Sequence, residues 1–181
     1  MKDVAKLSGV LFFGLLTAVI IYPFLHETGH SVAAVLSGAE ILEFNLFPFP
    51  NILCNMTNIS NIGRVFIGLN GMILPVVFSA VISLLSKNKI FWICYVTFIL
   101  NGIGLLSTVM SIAAIFLFNI GKPIVNEDVT QVMQAIPNSN SFILFLMSAI
   151  TIWLIVKIKF DKPLEKCLAY FGLTKTKSGT V

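Results

Sequence analysis

Residues Leu11–Leu36 read LFFGLLTAVIIYPFLHETGHSVAAVL, an apolar run with two histidines and a glutamate near its end. About 18 apolar residues are enough for a helix to cross a bilayer core about 30 Å thick. The run exceeds that length, so it predicts a membrane-spanning helix. Placing an ionisable side chain inside such a helix costs about 2.5 kcal/mol or more, so its presence suggests a functional site.

The chain as a whole is also strongly apolar. Of its 181 residues, 57% are hydrophobic and only 11% are charged, and the mean hydropathy is +0.95. These values lie outside the range of soluble domains. Four runs are long enough to span, at about 8–36, 62–86, 90–119 and 140–160, and each should be helical because lipid cannot satisfy backbone polar groups. We therefore expect an all-α membrane protein, with one polytopic domain over residues 1–160 and a basic cytoplasmic tail over 161–181.

The basic residues set the expected orientation. If the chain crosses four times, ten of its twelve basic residues share one side with the N-terminus: Lys2, Lys6, Lys87, Lys89, Lys157, Lys159, Lys162, Lys166, Lys175 and Lys177. Only Arg64 and Lys122 lie on the other side. The positive-inside rule then places both termini in the cytoplasm, with the chain in the cell membrane. Because this distribution explains the net charge of +4, we expect no nucleic-acid partner.

The segment after the first span is too interrupted by Asn and Pro to cross as a helix. Glu43 and Asn45 alternate there with Phe44 and Leu46. This period of two favours a short strand at the membrane interface, and an irregular loop is the equal alternative.

The second and third spans contain residues that shape helix packing. Gly68, Gly71 and Pro75 permit close approach or bending in the second span, where Asn70 is expected to face protein. The third span is longer than the bilayer requires, so it is expected to tilt or to break near residues 101–104.

The chain's only two histidines, His26 and His30, are four residues apart. At 3.6 residues per turn they lie within about 40° of each other on one helix face, so both imidazoles can reach one metal ion. Glu27 follows the first histidine and can contact a water held by that ion, as in H-E-x-x-H zinc hydrolases. Gly29 is expected to leave room beside the metal.

A catalytic zinc site takes three protein ligands and leaves a fourth position open. No histidine remains, and the three cysteines are too widely spaced to indicate a thiolate site. The third ligand is therefore expected to be a carboxylate. Asp128 is favoured because it begins DVTQVMQAI, a stretch that can form a short helix. Glu127 is the alternative, and a solvated pair of loop charges is the other interpretation of these two residues.

The stretch HETGHSVAAVLSGAEI on an apolar helix resembles the site-2 protease class of intramembrane zinc metalloproteases, peptidase family M50, and particularly its small M50B-like members. The resemblance is specific over about residues 20–46 and weaker at the glycines of the second span. One departure is that the Asp-Gly pair of the larger site-2 proteases is absent, and the carboxylate stands in NEDVTQV instead. Relatives are generally described as cutting toward the cytosol, whereas the charge distribution here places the motif near the outer side.

The resemblance implies a mechanism. Zinc held by His26, His30 and Asp128 would lower the pKa of its water toward about 7, and Glu27 would take the proton and pass it to the leaving amine. Asn70 or Asn101 could donate to the oxyanion, although asparagine in a span more often joins helices. The substrate would be a membrane protein within the lipid bilayer, locally unwound and paired with the strand-like segment at 41–46.

Two other functions compete with the protease. A catalytically inactive membrane scaffold or substrate-binding protein would keep this fold without cleavage. A metal transporter is disfavoured because no other span offers an ionisable residue to relay a cation. The sequence does not indicate an oligomeric state.

Overall fold

The protein is described by a computed structural model that covers residues 2–45, 50–86, 90–125, 127–136 and 138–172. In chain order the elements are α1 (Lys2–Leu16), a π-helical turn (Thr17–Ile21), α2 (Tyr22–Leu36), β1 (Glu40–Asn45), β2 (Asn51–Asn55), α3 (Asn61–Ser86), α4 (Phe91–Asn119), α5 (Asp128–Ala135), α6 (Asn140–Asp161) and α7 (Pro163–Tyr170).

Four helical segments are long and apolar enough to cross a membrane: Val4–Leu36, Asn61–Leu85, Phe91–Asn119 and Asn140–Tyr170. The expected four spans and the strand-like segment after the first are confirmed, and the chain is a multi-pass membrane protein. The orientation stays a prediction, and four of the lysines that support it lie outside the described residues: Lys87, Lys89, Lys175 and Lys177.

The first span is not one regular helix. Between α1 and α2 the backbone widens into a π-helical turn, in which the Tyr22 N–H donates to the Thr17 carbonyl five residues earlier. Pro23 follows directly, and a proline ring clashes with the carbonyl four residues before it in an α-helix. The wider turn before Pro23 relieves that clash, as π-bulges do.

Helices α2 and α3 pack with almost no side chain between them. A Cβ atom on Gly29 would collide with the Asn70 backbone, and one on Gly71 would collide with the His30 ring. The Asn70 side-chain amide donates to the Gly29 carbonyl at 2.8 Å. The expected packing role of Gly71 is confirmed. The prediction that Gly29 leaves room beside a metal is wrong, because this glycine faces α3.

Helix α4 runs without a break from Phe91 to Asn119, so the break expected near residues 101–104 is absent. The Asn101 side chain is buried and accepts a hydrogen bond from the Ser79 hydroxyl at 2.8 Å. Gly104 lies against Val76, whose methyl would be 3.3 Å from an added Cβ. The polar and small residues of this stretch join α4 to α3 instead of interrupting it.

Strands β1 and β2 form an antiparallel hairpin that runs from the pair Glu40 and Asn55 to the pair Asn45 and Asn51. A bulge between Ile41 and Glu43 interrupts the register. Strand β2 was not expected from the sequence. The hairpin follows the end of α2, where Ala33, Ala34 and Ile67 share a buried cluster with Ile59.

Helix α5 is short and lies outside the four spans. Its apolar residues Val129, Val132 and Met133 are buried against α3, α4 and α6, in a cluster with Leu69, Met72, Ile115, Ile143 and Met147. This packing fixes the position of the first residue of α5, Asp128.

Within the segment expected to be a tail, residues Pro163–Tyr170 form a helix. Helix α7 packs on the start of α4, where the rings of Phe91 and Tyr170 are stacked with centroids 4.0 Å apart. The Lys6 ammonium donates to the Tyr170 carbonyl at 3.2 Å, so α7 also contacts the first helix.

Candidate metal centre

The two histidines lie one turn apart on α2, with their Nε2 atoms 3.1 Å from each other. Nδ1 of His30 lies 2.7 Å from the Ile67 carbonyl, which can only accept. Nδ1 therefore donates, and the Nε2 lone pair is left free for a metal, the usual arrangement for a histidine ligand. Nδ1 of His26 is buried and has no hydrogen-bond partner in the described part of the chain.

The Asp128 carboxylate completes the group. Its Oδ2 atom lies 3.4 Å from Nε2 of His26 and 3.4 Å from Nε2 of His30. In a tetrahedral zinc site with bonds of about 2.0–2.1 Å, ligand atoms are about 3.3–3.4 Å apart. The spacing of the three donor atoms therefore fits one zinc ion. Two imidazoles and one carboxylate are also a donor set that catalytic zinc uses.

Contacts around Glu127 hold Asp128 in this position. One oxygen of the Glu127 carboxylate accepts from the Thr130 N–H at 2.7 Å and caps α5, and the other accepts from the Ser111 hydroxyl at 3.2 Å. At Gly68 the backbone of α3 passes close to the side chain of Val132. Glu127 thus ties α5 to α4, and Asp128 is the acid that meets the histidines.

The electrostatics at Asp128 favour its charged form. Burial alone would raise the pKa of this carboxyl group, but hydrogen bonds and charges from His26 and His30, when these imidazoles are protonated and hold no metal, outweigh burial and lower the pKa far below its usual range. The carboxylate is therefore ionised at neutral pH, as a metal ligand must be.

A cavity of about 920 Å³ opens beside the three donor atoms. Glu27, only 8% exposed, lines it together with residues of β2, α3, α4 and α5. The polar residues in the wall of this cavity include Asn51, Arg64, Ser111, Gln131 and Gln134. The Cys54 thiol of β2 also lines the cavity, and burial raises its pKa, so this thiol is neutral at pH 7.

A second opening reaches the same group from the side of the bundle. It is a groove of about 490 Å³ between α2 and α4, mostly apolar, with Pro23, Ile103, Leu106 and Met110 in its walls. His26 and Glu27 line this groove as well as the cavity. The candidate metal centre therefore has one opening with many polar side chains and one mostly apolar opening.

The structure does not bring the two asparagines to the centre. Asn70 is engaged by Gly29, and Asn101 is engaged by Ser79. Neither is among the described residues that line the cavity or the groove. The sequence analysis missed Tyr22 and Ser107, which line the groove beside His26. Tyr22 could have been found, because it precedes His26 by one helical turn.

A comparison with protein-family models shows the family of this chain. A family model described as Peptidase M50B-like matches residues 13–120, more than half of the chain. The protein belongs to this M50B-like family. The resemblance to the site-2 proteases is thereby confirmed, and M50 is a family of metalloproteases. No curated protein and no solved structure matches the chain.

In this M50B-like chain the match includes the whole of α2, with His26, Glu27 and His30, and extends through α3 and α4. It ends before Glu127 and Asp128. The family match therefore does not assign the third ligand, for which the geometry of α5 is the supporting observation.

Proposed function

We propose that the chain is an intramembrane zinc metalloprotease that hydrolyses peptide bonds of membrane-embedded or membrane-proximal substrates. The observation that supports this most is the convergence of two imidazole nitrogens and one carboxylate oxygen, all within 4.8 Å of one another, beside a buried glutamate. A bound zinc ion would supply Lewis acidity and make a water molecule nucleophilic near neutral pH.

The chain's own residues would do the rest. The hydrogen bond from His30 to Ile67 holds that imidazole in the tautomer with a free Nε2. The Glu27 carboxylate would accept a proton from the attacking water and deliver it to the amide nitrogen as the C–N bond breaks. The products are a carboxylate and an amine. The polar cavity would give water access to the centre.

The substrate would approach as an extended chain. A helix satisfies its own backbone groups, so a membrane helix must unwind locally before a carbonyl can reach the centre. Four residues of β2, from Asn51 to Cys54, line the cavity, whereas no described residue of β1 does. We therefore place edge pairing with the substrate on β2 instead of the 41–46 segment expected from the sequence.

The substitution Glu27→Gln tests the proposal. Cleavage of a co-expressed membrane substrate should fall by at least about 100-fold, because the general base is lost, while bound zinc in the purified protein stays unchanged. His26→Ala should lose both zinc and cleavage. The matched control is Glu165→Gln on α7, an exposed residue paired with Lys162, which should change neither.

Three results would contradict the proposal. Cleavage that survives Glu27→Gln would exclude this residue as the base. A purified wild-type chain that holds zinc but cleaves nothing would favour a catalytically inactive scaffold, and metal flux into vesicles without proteolysis would favour a transporter.

A further inference from the structure

Peptide hydrolysis places negative charge on the carbonyl oxygen of the scissile bond, and a positioned donor at that oxygen lowers the barrier. In the proposed protease neither Asn70 nor Asn101 is placed to serve, because both are held between helices and neither is among the described residues that line the cavity or the groove. A donor for this oxygen must come from elsewhere in the described part of the chain.

The Tyr22 hydroxyl is such a donor. Tyr22 is only 9% exposed, and its hydroxyl oxygen is buried without a hydrogen-bond partner among the described residues. The Ser107 hydroxyl lies near the phenol and also lines the groove, but no hydrogen bond between the two hydroxyls has a normal distance and angle. Buried hydroxyl groups normally have a partner, so the missing partner here requires an explanation.

The position of Tyr22 supplies one. It stands one helical turn before His26, and the phenol ring is nearly parallel to the imidazole, with centroids 6.2 Å apart. Tyr22, His26 and Glu27 all line the apolar groove between α2 and α4. A peptide carbonyl that reaches the metal centre from this groove would pass beside the phenol.

We propose that the Tyr22 hydroxyl donates a hydrogen bond to the carbonyl oxygen of the scissile peptide as that oxygen becomes negative. The inference rests on the proposed protease function. The ring is fixed by Leu25 and Leu100, with which Tyr22 shares a buried cluster. The donor is therefore held in place before the substrate arrives, in surroundings where a hydrogen bond to a charged oxygen is stronger than in water.

The experiment compares Tyr22→Phe with wild type, using two apolar peptide inhibitors of the same sequence. One is a phosphinic peptide, whose second phosphinate oxygen mimics the oxyanion. The other is a thiol peptide, which binds zinc through sulfur and has no such oxygen. The matched control is Tyr95→Phe, since Tyr95 packs against Gly14 of α1, away from the centre.

Tyr22→Phe should weaken the phosphinic peptide at least about tenfold more than the thiol peptide, and should lower kcat about 100-fold or more with zinc content unchanged. Tyr95→Phe should leave the ratio of the two affinities as in wild type. A disturbed fold would weaken the binding of both inhibitors equally. An equal effect on both would therefore overturn the proposed role of Tyr22 but would leave the protease function standing. If the wild type binds neither inhibitor in a zinc-dependent way, the protease function itself fails.

Discussion

Two glycines determine how closely the histidine helix approaches its neighbour. Gly71 of α3 lies against the His30 ring, and Gly29 of α2 lies against the backbone at Asn70. His30 cannot move away without losing its hydrogen bond to Ile67. A single methyl group at Gly71 would therefore displace a proposed metal ligand.

We expect Gly71→Ala to lose most of its zinc and to be less stable than wild type, as measured by elemental analysis and thermal unfolding. In an open helix interior, glycine to alanine stabilises by about 1 kcal/mol, so a loss would report the collision with His30. The control is Gly102→Ala on α4, where an added Cβ meets nothing within 4 Å. That variant should keep its zinc and be slightly more stable. Unchanged zinc in Gly71→Ala would show that His30 is not a ligand.

Among the secondary-structure elements, the short helix α5 supplies the proposed third ligand. Its eight residues present Asp128 to the histidines and bury three apolar side chains in the core. Its N-terminal cap is Glu127, the acid that sequence reasoning held as the alternative ligand. The two neighbouring acids therefore have separable roles.

Paired substitutions test this division. Asp128→Ala should lose zinc, because a ligand is removed. Glu127→Ala should keep zinc, with its affinity reduced about tenfold through the loss of support and with stability lowered by about 1 kcal/mol through the loss of the cap. Zinc titration and thermal unfolding of both variants provide the measurement. The opposite pattern, zinc kept in Asp128→Ala and lost in Glu127→Ala, would make Glu127 the ligand.

The elements also show what the sequence could predict. The spans follow from apolar length, and β1 follows from the alternation of Phe44 with its polar neighbours. Strand β2 reads NILCN, with three apolar residues in a row, so it lacks the alternation that indicates a strand. The continuity of α4 through Asn101 depends on Ser79 of another helix. At the site, the histidine pair follows from local spacing, whereas the position of Asp128 depends on packing at Gly68 and on Ser111, which no local pattern encodes.

At the scale of the whole molecule, two cysteines can distinguish the two sides of the membrane. Cys54 lines the cavity at one end, and Cys167 lies in α7 beside the start of α4, at the other end. The two cysteines can therefore report on opposite faces of the bilayer. The charge distribution predicts that Cys54 faces outward.

We expect a membrane-impermeant maleimide to label a chain with Cys54 as its only cysteine in intact cells. A chain with only Cys167 should be labelled after lysis alone. Because burial raises the pKa of Cys54, less thiolate is present at pH 7, and labelling should accelerate as the pH rises toward 9. The reverse labelling pattern would place the site on the cytoplasmic side, where its relatives are described as cutting.

The cavity and the groove give the two reactants of the proposed hydrolysis separate routes to the candidate metal centre. Water and an apolar peptide do not mix, yet both must arrive at the same few atoms. The cavity, whose wall includes many polar side chains, is the proposed route for the first, and the mostly apolar groove between α2 and α4 is the proposed route for the second. Since His26 and Glu27 form part of both walls, the two reactants would meet at the residues that are proposed to join them.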